Sequence, residues 1–143
     1  MMTKQQLRVL SHAMSRAELK HKYEEAANRT YSTDEFNRIL RENLPKESEY
    51  QQLIMREIRT HYPDSTFIWK EAAGAYGKSG LPDVCVLHDG KFYGFEVKRP
   101  YIGRVTKLQE NTLRAINKAG GTAAIIAFPE HALAIMRGCV KHT

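Results

Sequence analysis

The sequence predicts a mixed α/β fold: a mixed β-sheet flanked by helices, preceded by an N-terminal helical extension. Three observations carry that expectation. Asp89-Gly90 separates two apolar, β-rich runs, and Asp-Gly in that setting is a strong hairpin signal because both central residues of a type I′ turn need φ > 0. Both parities of the hairpin strands carry apolar side chains, which implies a sheet covered on both faces. A further apolar run at residues 122–128 follows a helix-patterned stretch that stops at Gly120-Gly121. It can therefore return parallel to the second hairpin strand through a helical crossover.

The elements follow in order. Residues 4–27 predict one helix, with Leu7, Leu10, Met14 and Ala17 recurring at three- and four-residue steps. Ser32-x-x-Glu35 is a capping box opening a second helix through Phe36, Ile39 and Leu40, which stops before Pro45. Ser48-x-x-Gln51 opens a third, with Tyr50, Leu53, Ile54 and Ile58 as its apolar stripe. Residues 66–69 predict a short strand and 72–79 a Gly-punctuated loop. The hairpin spans 83–98, and a Pro/Gly turn covers 100–103. The 105–119 segment is a helix, 122–128 a strand, and Pro129 begins a last short helix.

Bulk properties bound the function classes. At 143 residues the chain is long enough for a domain with its own core. The expected division is a helical extension at 1–46 and a second domain at 47–143. Cys85 and Cys139 lack metal-ligand spacing, so zinc is not expected and a reducing cytoplasm is. No apolar run approaches about 18 residues, so no membrane segment is expected. The net charge of +6 agrees with a polyanionic partner without establishing one.

Counting outward from Asp89-Gly90 pairs Leu87 with Phe92, Cys85 with Gly94, and Asp83 with Glu96. Opposed side chains share a face, with Cβ atoms roughly 5 Å apart. Two carboxylates that close repel unless a proton or cation lies between them. Lys98, two residues beyond Glu96, projects from the same face. Two carboxylates and an ammonium at one end of a hairpin suit a hard divalent cation, Mg²⁺ or Mn²⁺, with a cationic helper.

These residues also carry a resemblance. Pro82-Asp83 followed by Glu96-Val97-Lys98 resembles the PD-(D/E)xK signature of restriction-endonuclease-like nucleases. Adding Ser48-Glu49, Gly80-Leu81, Arg99-Pro100, Gly103-Arg104, Gln109 and Gly120-Gly121 makes residues 47–128 similar to the VRR-NUC branch of that superfamily. The resemblance implies a restriction-endonuclease-like core and a Mg²⁺-dependent (or Mn²⁺-dependent) endonuclease acting on DNA. Asp83, Glu96 and the Val97 carbonyl would hold the metal, with Glu49 as a further metal or water ligand. Lys98 would orient the attacking water or stabilise the phosphorane, and Gln109 would approach the lysine and phosphate. Lys78, Arg99, Arg104 and Lys107 are the cations expected against the nucleic-acid backbone. A homodimer preferring branched DNA is expected on the analogy, the stripe of Leu7, Leu10 and Met14 offering a surface for a second copy. Two other classes compete: a catalytically silent nucleic-acid-binding module, and a helical interaction or regulatory protein built on residues 1–46.

Overall fold

The computed structural model describes residues 1–71 and 80–138. The chain divides into two compact units. One holds Met1–Lys46 with Arg99–Gly103; the other holds Glu47–Lys98 and the chain from Arg104 onward.

The first unit contains α1 (Lys4–Leu10), α2 (Arg16–Ala27) and α3 (Thr33–Asn43). The single helix expected over residues 4–27 is two helices. Ser15 is extended (φ −66°, ψ 163°) and its hydroxyl accepts from the Glu18 amide, an N-cap that starts α2 afresh. Ser32 and Glu35 form the expected capping box of α3. Leu7, Leu19, Phe36, Leu40 and Leu44 make the core, and Leu10 and Met14 pack against it. The apolar stripe of α1 is thus met within its own unit, which removes the ground for assigning it to a second copy.

Arg99 differs from its expected place on a DNA-binding surface. Its guanidinium donates to the carbonyls of Pro45 (3.0 Å), Arg41 (2.7 Å) and Leu44 (3.1 Å). The last carbonyls of a helix lack intrahelical partners, and here one cation supplies donors to several at the C-terminal end of α3, where the helix dipole also favours positive charge. Tyr101 adds a hydroxyl donated to the Ser11 carbonyl at 2.9 Å.

The second unit runs α4 (Glu47–His61), β1 (Thr66–Lys70), β2 (Val84–His88), β3 (Lys91–Val97), α5 (Lys107–Lys118), β4 (Thr122–Ile126) and α6 (Pro129–Met136). The sheet order is β1-β2-β3-β4. β1, β2 and β3 are successively antiparallel, and β4 lies parallel to β3. Asp89 (φ 49°) and Gly90 (φ 78°) form the turn with the positive φ values that a two-residue loop requires. The ladder has the counted register, with His88 opposite Lys91, Cys85 opposite Gly94 and Val84 opposite Phe95.

Strand alternation sorts this sheet into two faces. Val84, Val86, Phe95, Val97 and Ile126 point to a closed face, buried against Tyr50, Ile54 and Ile58 of α4 and Ala132 and Leu133 of α6. Asp83, Cys85, Gly94 and Glu96 point the other way. There α5 covers the β3–β4 side, where Asn117 bonds the Ala123 backbone through both its Oδ1 and Nδ2. Toward β1 this face stays open, with Phe67 66% and Leu87 45% exposed. Among the described residues, no helix is long and apolar enough to cross a membrane.

Candidate active site

Asp83 lies just before β2 and Glu96 within β3, one step beyond the Val84–Phe95 pair. Asp83 is held there from both sides. Its carbonyl accepts from the Glu71 amide at 2.8 Å, and its Oδ2 accepts from the Val97 amide across the strand at 2.9 Å. Buried Pro82 sets the approach: a Cβ on Gly94 would lie 2.8 Å from Pro82 Cγ, so the proline ring occupies the space a side chain would have filled.

Glu96 is 1% exposed. Gln109 Nε2 donates to its Oε1 at 2.9 Å, and Lys98 Nζ lies 3.5 Å from the same oxygen. The other oxygen, Oε2, is buried without a hydrogen-bond partner. Burial above all, with the negative charge of Asp83 beside it and against the opposing pull of Lys98, pushes the Glu96 carboxyl up to about 8. The adjacent Cys85 thiol is likewise pushed up to about 11 by burial and by the charges of Glu71, Asp83 and Glu96. The acids here therefore concentrate negative potential that Lys98 offsets in part and that a proton or a further cation would relieve.

Gln109 gets its position from the start of α5. Thr106 is the N-cap; its hydroxyl accepts from the Gln109 amide, and Gln109 Oε1 accepts from the Thr106 amide at 3.0 Å. One amide side chain thus closes a capping box with its oxygen and holds Glu96 with its nitrogen. Thr-x-x-Gln is a legible capping signature, and it was the available signal for this contact.

The acid expected from the start of α4 is placed differently. Glu49 is exposed, whereas Glu47 Oε1 lies 3.9 Å from Lys98 Nζ. The helix begins at Glu47 rather than being capped by Ser48. Glu47 and Gln51 then fall on the inward side with Tyr50, Ile54 and Ile58, and Gln51 is buried with its Oε1 unpartnered. Helical spacing from that apolar stripe would have selected Glu47, since Glu49 sits on the opposite side at 100° per residue. Glu71 was also overlooked: one residue past β1, it continues the alternation of Phe67 and Trp69 and accepts from Trp69 Nε1 at 3.3 Å. Arg104 and Lys107 are exposed. Lys78 and Cys139 lie outside the described residues.

Among the described residues, no group of three or more His, Cys, Asp and Glu side chains forms a complete metal cage. The donor set present suits Mg²⁺ or Mn²⁺ nonetheless, because such ions are commonly held by one or two carboxylates and keep several waters. Asp83 and Glu96 are hard oxygen donors, and Glu96 Oε2 is buried without a hydrogen-bond partner.

A solved structure described as a VRR_NUC domain protein shares this fold. It aligns over 67% of this chain and 88% of its own, at 15% sequence identity and a TM-score of 0.53. No family model matches the sequence, and no curated protein does.

Proposed function

We propose that the chain is a divalent-metal-dependent endonuclease hydrolysing DNA phosphodiester bonds, with a preference for branched DNA such as junctions or flaps. The observation that carries this reading is the buried Glu96 carboxyl facing Asp83, its pKa raised to about 8 and one oxygen unpartnered, with Lys98 beside it. An acid pair that costs stability in the fold it occupies points to a charge it is built to receive. The shared fold with a VRR_NUC domain protein supports the same reaction class by analogy.

In this reading Asp83, Glu96 and the Val97 carbonyl would hold Mg²⁺, with Glu47 in the role expected of Glu49. When bound, the ion supplies charge neutralisation at the phosphate and a lowered pKa for water. The chain's own residues do the rest. The Val97 amide fixes Asp83, and Gln109 fixes Glu96 through Oε1, leaving Oε2 without a hydrogen-bond partner. Lys98, restrained near Glu96 and Glu47, presents its ammonium to the phosphate oxygens and orients water for in-line attack at phosphorus. Branch preference rests on the analogy with the resembled nucleases, with DNA shape supplying the selectivity.

The test is incubation with linear, nicked, flap and four-way DNA, with and without Mg²⁺ or Mn²⁺. Cleavage should require metal, favour branched substrates, and fall by roughly 10³-fold or more in Asp83→Asn and Glu96→Gln. Lys98→Met should keep DNA binding while losing rate. Metal-dependent cleavage surviving in either carboxylate variant sinks the proposal, and salt-sensitive binding without cleavage favours the silent binding module.

A further inference from the structure

The open sheet face carries more than the carboxylates. Trp69 is paired with Cys85, and Cys85 with Gly94; Phe67 is paired with Leu87, and Leu87 with Phe92. All of them point the same way as Asp83 and Glu96. Two residues of strand separate successive layers, so the first aromatic layer lies roughly 7 Å from the acid pair and the second roughly 14 Å. The rings form a continuous row: Phe67 to Trp69 centroids are 5.6 Å apart, and Trp69 to Phe92 6.2 Å. Phe67 is nevertheless 66% exposed and Leu87 45%.

The chemistry of this row is narrow. Trp69 Nε1 is already committed to Glu71 Oε1, and phenylalanine has no polar edge. Trp69 meets Phe92 edge to face at 85° and Phe67 at 44°, so the π-face the row offers is chiefly that of exposed Phe67, with Trp69 beside it. A second copy of the chain is a poor fit. The exposed parts of Phe67 and Leu87 amount to on the order of 200 Å², against about 800 Å² per partner in a stable interface. The net charge of +6 favours a polyanion. The row is also continuous, on one sheet face, with the site assigned to a phosphodiester.

We propose that Phe67, Trp69 and Phe92 form a stacking platform for unpaired nucleobases of a DNA strand whose backbone enters the Asp83–Glu96 site. The proposal rests on the nuclease reading for the identity of the strand. Stacking on π-faces tolerates every base, so the platform selects unpaired over paired DNA without selecting sequence. It supplies a physical reason for acting on flaps, whose single-stranded arm carries unpaired bases.

Trp69 is the one tryptophan in the sequence, so its emission reports on the platform directly. The experiment titrates the full-length protein in EDTA with an oligothymidine strand and with an abasic strand of equal length and charge. Oligothymidine should quench Trp69 and the abasic strand should not. Phe67→Ala should weaken oligothymidine binding about tenfold and leave abasic binding unchanged, with Phe67→Tyr restoring it. Equal affinity for the two strands, absent quenching, or an unchanged Phe67→Ala overturns the platform. So does light scattering in which Phe67→Ala converts a dimer to a monomer, which would give the face to a second copy. Because no metal is present, quenching that persists in a protein lacking Mg²⁺-dependent cleavage would sink the nuclease reading and leave the platform standing.

Discussion

The closed and open faces of the sheet are made by the same strands, residue by alternate residue, yet they obey opposite rules. On the closed face Val84, Val86 and Phe95 are wholly buried under α4 and α6, and every contact adds dispersion and releases water. On the open face Glu96 is buried just as deeply, but with an acid beside it and an oxygen unpartnered. Burial stabilises in the first case and costs stability in the second. A face that tolerates such a cost is where function is expected, and the closed face is what makes the cost affordable.

Neighbouring substitutions in β3 should therefore act in opposite directions. Phe95→Ala should destabilise by about 3–5 kcal/mol through lost transfer energy and a residual cavity. Glu96→Gln, one residue on, should leave the metal-free protein at least as stable as the parent. Thermal or urea unfolding of both measures this, and a large loss of stability in Glu96→Gln would erase the distinction between the faces.

Acidity sharpens the contrast at smaller amplitude. The Glu96 pKa is raised in the fold from an ordinary 4.5 to about 8, so the folded state retains a proton the unfolded chain releases. The contribution to stability is full below about 4.5 and is lost as pH rises through about 8. The metal-free parent should therefore lose more stability between pH 5 and pH 9 than Glu96→Gln does. By the same linkage, Mg²⁺ affinity should rise with pH up to about 8, since binding displaces that proton. A pH-stability profile indistinguishable from that of the variant would place the proton elsewhere.

The smallest effect concerns the helix that partly roofs the open face. Thr106→Ala removes the N-cap of α5 and should cost about 1 kcal/mol. It also frees Gln109 from the box that aims it, so the proposed cleavage rate should fall more than the stability loss explains. An unchanged rate would reduce Gln109 to a capping residue.

Much of this contrast is legible in the sequence. Asp89-Gly90 dictated the register that opposes Asp83 to Glu96, because a two-residue turn leaves no slack in the count. The parallel return of β4 followed from a crossover helix ended by glycine. What escaped notice falls into two kinds. The break between α1 and α2 and the placing of Glu47 rather than Glu49 beside Lys98 were each encoded locally, in Ser15-x-x-Glu18 and in the face shared with Tyr50 and Ile54; Gln109 was expected at the site from the resemblance, and only its bond to Glu96 was not. The place of Arg99 was not encoded locally. Its partners stand more than fifty positions upstream, and no local pattern distinguishes a guanidinium bound to carbonyls from one awaiting a phosphate.

Gly94 shows how tightly the acid pair is toleranced. Its missing side chain is the seat of Pro82, whose ring comes within 2.8 Å of where a Cβ would be. The pyrrolidine is rigid and carries Asp83 as its next residue, so a single hydrogen atom on β3 acts as the gauge block against which a carboxylate on the facing strand is set. The spacing of the two acids is thus machined by an absence, and a methyl group there would shift the proline and the aspartate together.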